Sequence, residues 1–95
     1  MKLRHYLYSK LAEEAGELAQ IAIKTSLFGE SSTDPRETTG ETNLEKLEKE
    51  LTDIIAVVAL LNEQLSLDYD LDEQHLESKK VSVLQMYYDF VKDSE

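Results

Sequence analysis

The stretch LEKLEKELTDIIAVVALLNEQL, residues 44–65, decides the fold. Leu44, Leu47, Leu51, Ile54, Val58, Leu61 and Leu65 follow one another at spacings of three and four without a break. That is the heptad pattern of a helix packed along another helix. Every residue from Ile54 to Leu61 is apolar, which predicts burial on all sides of this part of the helix. Three helices of one chain cannot easily cover such a segment, so the pattern also predicts a dimer with this segment at its centre. Thr42 followed by Glu45 supplies a capping box at the start, in which hydroxyl and carboxylate each accept a hydrogen bond from an otherwise orphaned N–H.

Upstream, a first helix is predicted from near Lys2 to about Leu27. Leu7, Leu11, Ala15, Leu18 and Ala22 give it one apolar face. Gly16 lies in its interior, where glycine costs about 1 kcal/mol relative to alanine. It marks either a tolerated flaw or a close approach of a neighbouring backbone. Phe28-Gly29 reads as the stop. Residues 29–43 are polar and carry Pro35, Gly40 and a Ser/Thr run, the composition of a long, weakly ordered loop. Downstream, residues 66–71 read as a turn. Asp70 and Glu73 suggest a second cap, and a third helix is predicted to about Lys92, with Leu76, Val83, Met86, Tyr87 and Phe90 on its apolar side. The expectation is an all-α chain, a single domain over residues 1–95 with three main helices and a flexible loop at about 29–43. Dimerisation would complete a core like that of a four-helix bundle.

Composition narrows the function. The chain has 95 residues, with 20 acidic against 10 basic ones and a net charge of −10. Nucleic-acid backbones and anionic membrane surfaces need a basic face, so neither is an expected partner. An acidic protein that handles phosphates needs cations to reverse the local sign. Cysteine is absent, which excludes disulfides and thiolate zinc sites and permits a cytoplasmic location. The N-terminus lacks a signal-peptide apolar run, and residues 54–61 are too short to span a bilayer.

Two acidic stretches carry the chemistry: Glu13-Glu14-Ala15-Gly16-Glu17 and Glu50-Leu51-Thr52-Asp53. Glu14 with Glu17, and Glu50 with Asp53, each place two carboxylates on one helical face. Both pairs border an apolar seam. Packed together, the helices would gather four carboxylates that repel unless a cation lies between them. The bland alternative is a set of surface ion pairs. Lys10, Lys46 and Lys49 stand four residues before Glu14, Glu50 and Asp53, while Glu17 has no base at either helical spacing. Hard divalent cations prefer carboxylate oxygens. Mg²⁺ is the natural ion, with Mn²⁺ as a substitute. His5 and His75 lie far from the acids in sequence. The absence of a Glu-x-x-His motif argues against a ferritin-like di-iron site.

The pattern Glu13-Glu14-x-x-Glu17 followed by Glu50-x-x-Asp53 resembles the signature of the MazG-like all-α nucleoside triphosphate pyrophosphohydrolases, of the small phage and bacterial type. The resemblance extends over residues 11–20, through Lys24 and Leu27-Phe28-Gly29, and again over residues 47–55. It reaches the third helix only loosely, at Lys79-Lys80. It implies Mg²⁺ held by Glu14, Glu17, Glu50 and Asp53, with Glu13 assisting Glu14 in catalysis by orienting the attacking water. It implies cleavage of a nucleoside triphosphate to monophosphate and pyrophosphate; the apolar seam adds a homo-oligomer, a dimer or a tetramer, in the cytoplasmic location that the composition permits. Lys24, Lys79 and Lys80 are then candidates for phosphate contact, Phe28 for stacking on a base, and Asn62 for a polar contact with substrate. Each is equally an ordinary helix-surface or helix-end residue. The chain departs from the family pattern at Thr52, where relatives carry glycine, and in its long connection between the motifs. The competing reading is a non-catalytic acidic helical interaction or regulatory module.

Overall fold

The computed structural model describes residues 2–64 and 72–94. They form three α-helices: α1 (Leu3–Phe28), α2 (Asn43–Gln64) and α3 (Glu73–Met86). The chain continues from α3 through one π-helical turn, Tyr87–Val91, and a 3-10 turn, Lys92–Ser94. No β-strand occurs among the described residues; only an isolated bridge joins Thr33 to Thr42. The all-α expectation therefore holds.

Helices α1 and α2 pack as an antiparallel hairpin. Leu7 meets Val57 and Leu61 near the start of α1 and the end of α2. At the other end Asn43 is buried and its amide donates to the carbonyls of Gly29 and Lys24, at 3.0 and 3.5 Å. The stripe that α1 turns to α2 is Leu7, Leu11, Glu14, Leu18, Ile21 and Thr25, each buried or half-buried. The matching stripe of α2 is Asn43, Leu47, Glu50, Ile54, Val57 and Leu61. Both follow spacings of three and four, the register of a helix-helix seam. This shifts the expected faces. Ala15, Ala22, Leu44 and Leu51 fall on solvent-facing sides, and each seam instead contains a glutamate.

The ends of the elements follow local chemistry. Thr42 and Glu45 form the expected capping box: Thr42 Oγ1 accepts from the Glu45 N–H at 3.1 Å, and Glu45 Oε1 accepts from the Thr42 N–H at 3.4 Å. Gly29 ends α1 at φ 97°, ψ 156°, a backbone region open essentially only to glycine, and its N–H donates to the Thr25 carbonyl. Nothing lies near Gly16 where a Cβ would stand, so it is a tolerated flaw and not a close approach. The loop between α1 and α2, expected to be weakly ordered, is tied at its base. The N–H groups of Asn43 and Leu44 donate to the carbonyls of Ser32 and Glu30, at 2.9 and 3.0 Å.

The third helix stands apart from the hairpin within one chain. Among the described residues it makes no contact with α1 or α2, and none of its residues is buried. The radius of gyration is 16.8 Å, against roughly 12 Å for a compact chain of this length. Its cap is Asp72, whose carboxylate accepts from the His75 N–H at 3.0 Å; the expected cap Asp70 and the turn at 66–71 lie outside the described residues. Leu76, Val83, Met86 and Phe90 are exposed, and so are Ile55 and Leu60 of α2. The segment 54–61 is therefore covered on one side only, at Val57 and Leu61.

Candidate metal centre

Glu14 and Glu50 occupy seam positions that leucine or isoleucine fills one turn to either side. That placement puts their carboxylates between the helices. Glu14 is only 7% exposed and Glu50 is half-buried. Asp53, one turn beyond Glu50, stands at the open edge. Glu14, Glu50 and Asp53 each offer an oxygen, and these oxygens lie within 4.8 Å of one another. Glu17 is exposed and sits close enough to Glu50 to act on its charge. The two pairs inferred from spacing thus meet at one place.

The electrostatics are those of an uncompensated cluster. The Glu50 carboxyl is pushed up to about 7, first by burial and then by the adjoining carboxyls of Glu14 and Glu17. Both mechanisms disfavour the charged form. Glu14 Oε2 and Glu50 Oε2 are buried without a hydrogen-bond partner. Orphaned buried oxygens are expensive, and all the donors here are hard oxygens. The set fits a divalent cation such as Mg²⁺ and does not fit a soft metal.

The surface-pair alternative fails for most of the cluster. Lys46 pairs with Glu37 and Lys49 pairs with Glu41, so neither forms an ion pair with Glu50 or Asp53, although Lys49 acts on Asp53 across space. Lys10 lies 3.9 Å from Glu14 but is closer to Glu13, at 3.3 Å. That pair turns Glu13 toward solvent, and it does not join the cluster.

Other candidates divide. Lys24 borders a cavity of about 290 Å³ whose wall includes Glu17 and Glu50. It also borders a neighbouring cleft of about 300 Å³ shared with Phe28, Arg36 and Asn43. Asp34 of that cleft is held well below the ordinary carboxylate range by its hydrogen bonds to Arg36. Asn62 lies nine residues past Asp53, about 14 Å along the helix, so it is not brought to the cluster. Lys79 and Lys80 lie on α3, which touches neither helix of the hairpin; Lys80 pairs with Glu77 at 3.2 Å. Thr52, where the family pattern has glycine, donates its hydroxyl to its own helix at the Glu48 carbonyl, 2.9 Å away.

Sequence reasoning took Lys46 and Lys49 only as surface-pair partners of the cluster and passed over Glu37 and Glu41; all four line the cavity beside Glu50. Both lysines were visible at helical spacing from the cluster, but only the fold shows which acids take them. Set against known proteins, the chain matches no family model, no curated protein and no solved structure. No described helix is long and apolar enough to cross a membrane.

Proposed function

We propose that the chain is a Mg²⁺-dependent nucleoside triphosphate pyrophosphohydrolase of the MazG-like type, working in the cytoplasm as a homo-oligomer. The observation that carries the reading is the pair of seam glutamates, Glu14 and Glu50, with buried oxygens that nothing in the hairpin partners. A helix pair selected only for packing would carry leucine there. The MazG-like assignment itself rests on the motif residues alone.

In this reading Glu14, Glu50 and Asp53 hold the cation, with Glu17 beside them. Bound Mg²⁺ would neutralise charge developing on the phosphoryl oxygens and draw a triphosphate to an otherwise repellent acidic surface. Water attacks the α-phosphorus, and the β-phosphate oxygen leaves with pyrophosphate. Glu17, exposed and adjacent to Glu50, would take the water's proton in this reading. Lys24 contacts the phosphates from the cavity rim. Oligomer formation is supported by the uncovered apolar residues of α3 and α2, since two hairpins brought together make four helices.

The test is pyrophosphate release from a panel of nucleoside and deoxynucleoside triphosphates with Mg²⁺. Release that disappears in Glu50→Gln and Asp53→Asn supports the reading; a folded protein that releases none from any nucleotide sinks it. The exposed apolar side of α3 favours a second reading, a helical interaction module. That reading predicts that the same two variants keep the protein's function.

A further inference from the structure

Two lysines sit one turn before the cluster and are kept off it. Lys46 and Lys49 precede Glu50 and Asp53 by four residues, a spacing at which lysine and carboxylate ordinarily meet along a helix. Here each is turned instead to a glutamate of the preceding segment. Lys46 pairs with Glu37 of the loop, and Lys49 pairs with Glu41 at 2.6 Å. All four side chains line the cavity of about 290 Å³ that also contains Lys24, Glu17 and Glu50. The loop does not need these ion pairs to be held in place. Its base is already tied through the Asn43 and Leu44 N–H groups and the buried Asn43 amide.

We propose that Lys46 and Lys49, with Lys24, form a polyphosphate-binding rim, and that Glu37 and Glu41 occupy the two lysines until a polyphosphate displaces them. The inference rests on the polyphosphate reading above and names the residues that would take the anion. The chemistry is consistent at each point. A carboxylate is the side chain that most resembles a phosphoryl oxygen to an ammonium group. Each pair has one exposed member, Glu37 at 43% and Lys49 at 68%, so a multivalent anion can reach it and exchange. Lysine binds phosphate as a point charge. While the loop acids hold the lysines, neither ammonium is ion-paired with Glu50 or Asp53, although Lys49 still acts on Asp53 across space. On exchange, the lysines would face the anion's free oxygens while the cluster faces its cation.

The experiment is titration calorimetry in two stages, first Mg²⁺ alone and then tripolyphosphate at saturating Mg²⁺. Lys46→Gln/Lys49→Gln should weaken tripolyphosphate binding by at least about tenfold, the loss of one charge-assisted contact or more. Its affinity for Mg²⁺ should not fall. Glu37→Gln/Glu41→Gln removes the competitors and should tighten tripolyphosphate binding several-fold. Lys2→Gln/Lys92→Gln makes the same change in net charge away from the cavity and should leave binding as in wild type. The proposal is overturned if the Lys46/Lys49 variant binds tripolyphosphate like wild type, if the remote variant loses as much, or if the Glu37/Glu41 variant binds no more tightly. In those cases normal Mg²⁺ binding leaves the metal centre standing. Failure of the wild type to bind Mg²⁺ overturns both.

Discussion

Replacing Glu14 by leucine should make the metal-free protein more stable. Glu14 occupies a seam position between Leu11 and Leu18, its side chain is only 10% exposed, and Oε2 has no hydrogen-bond partner. Leucine at that position adds about 1.5–3 kcal/mol of apolar burial. It also removes an unsatisfied buried acceptor, which costs about 1–3 kcal/mol. Against this stands the loss of the 3.9 Å ion pair with Lys10, an exposed-edge contact of at most about 1 kcal/mol. Real unfolded chains already bury part of their apolar surface, which trims the gain. The net is about 2–4 kcal/mol. In urea that moves the midpoint upward by on the order of 1–3 M for a chain of this size. The assay is urea unfolding in EDTA, followed by circular dichroism and repeated with Mg²⁺. Mg²⁺ should stabilise the wild type and leave Glu14→Leu almost unmoved. If the variant in EDTA is no more stable than wild type, the seam glutamate is not a sacrifice of packing, and the argument for a metal centre loses its footing.

Three further outcomes follow from local features. In EDTA the native protein should be more stable at pH 5 than at pH 8. The Glu50 carboxyl titrates at about 7 when folded against an ordinary value of 4.5; the folded state then binds more protons over that window, and stability falls as pH rises through it. Urea midpoints in the opposite order would contradict the environment assigned to Glu50. Thr42→Ala removes the capping box of α2 and should cost about 1 kcal/mol, read as a melting temperature lower by roughly 4–8 °C. Asn43→Ala leaves the Gly29 carbonyl without its 3.0 Å donor and should cost about 1–3 kcal/mol; a near-neutral result by the same melt would show that the loop base is held some other way.

The helices themselves were legible because local chemistry writes their ends. Gly29, the Thr42–Glu45 pair and the long three-four spacing of α2 place the boundaries to within a residue or two. The seam was less legible. A search for apolar periodicity passes over charged residues, so on α1 it selects Ala15 and Ala22, and the fold places Glu14 and Ile21 in the seam instead. The same bias on α2 favours Leu51 over Glu50. The carboxylate spacing nevertheless pointed to Glu14, Glu50 and Asp53, whose oxygens the fold brings within 4.8 Å of one another, since i, i+3 placement on a helix does not depend on which neighbours are buried. What spacing could not supply was the partner of each lysine. Lys46 and Lys49 are captured by Glu37 and Glu41 through a fold of the loop, and no periodicity encodes that. The place of α3 is not encoded for a related reason: an apolar side shows that a helix needs a partner, but not whether the partner belongs to the same chain.

In the proposed function a cation belongs between α1 and α2. Crystals grown or soaked with MnCl₂ and measured for anomalous scattering test it most directly. The expected result is a manganese peak bonded by oxygens of Glu14, Glu50 and Asp53 that disappears in Glu50→Gln. A clean map at that position under saturating Mn²⁺, or a peak held only by surface acids elsewhere, would contradict it.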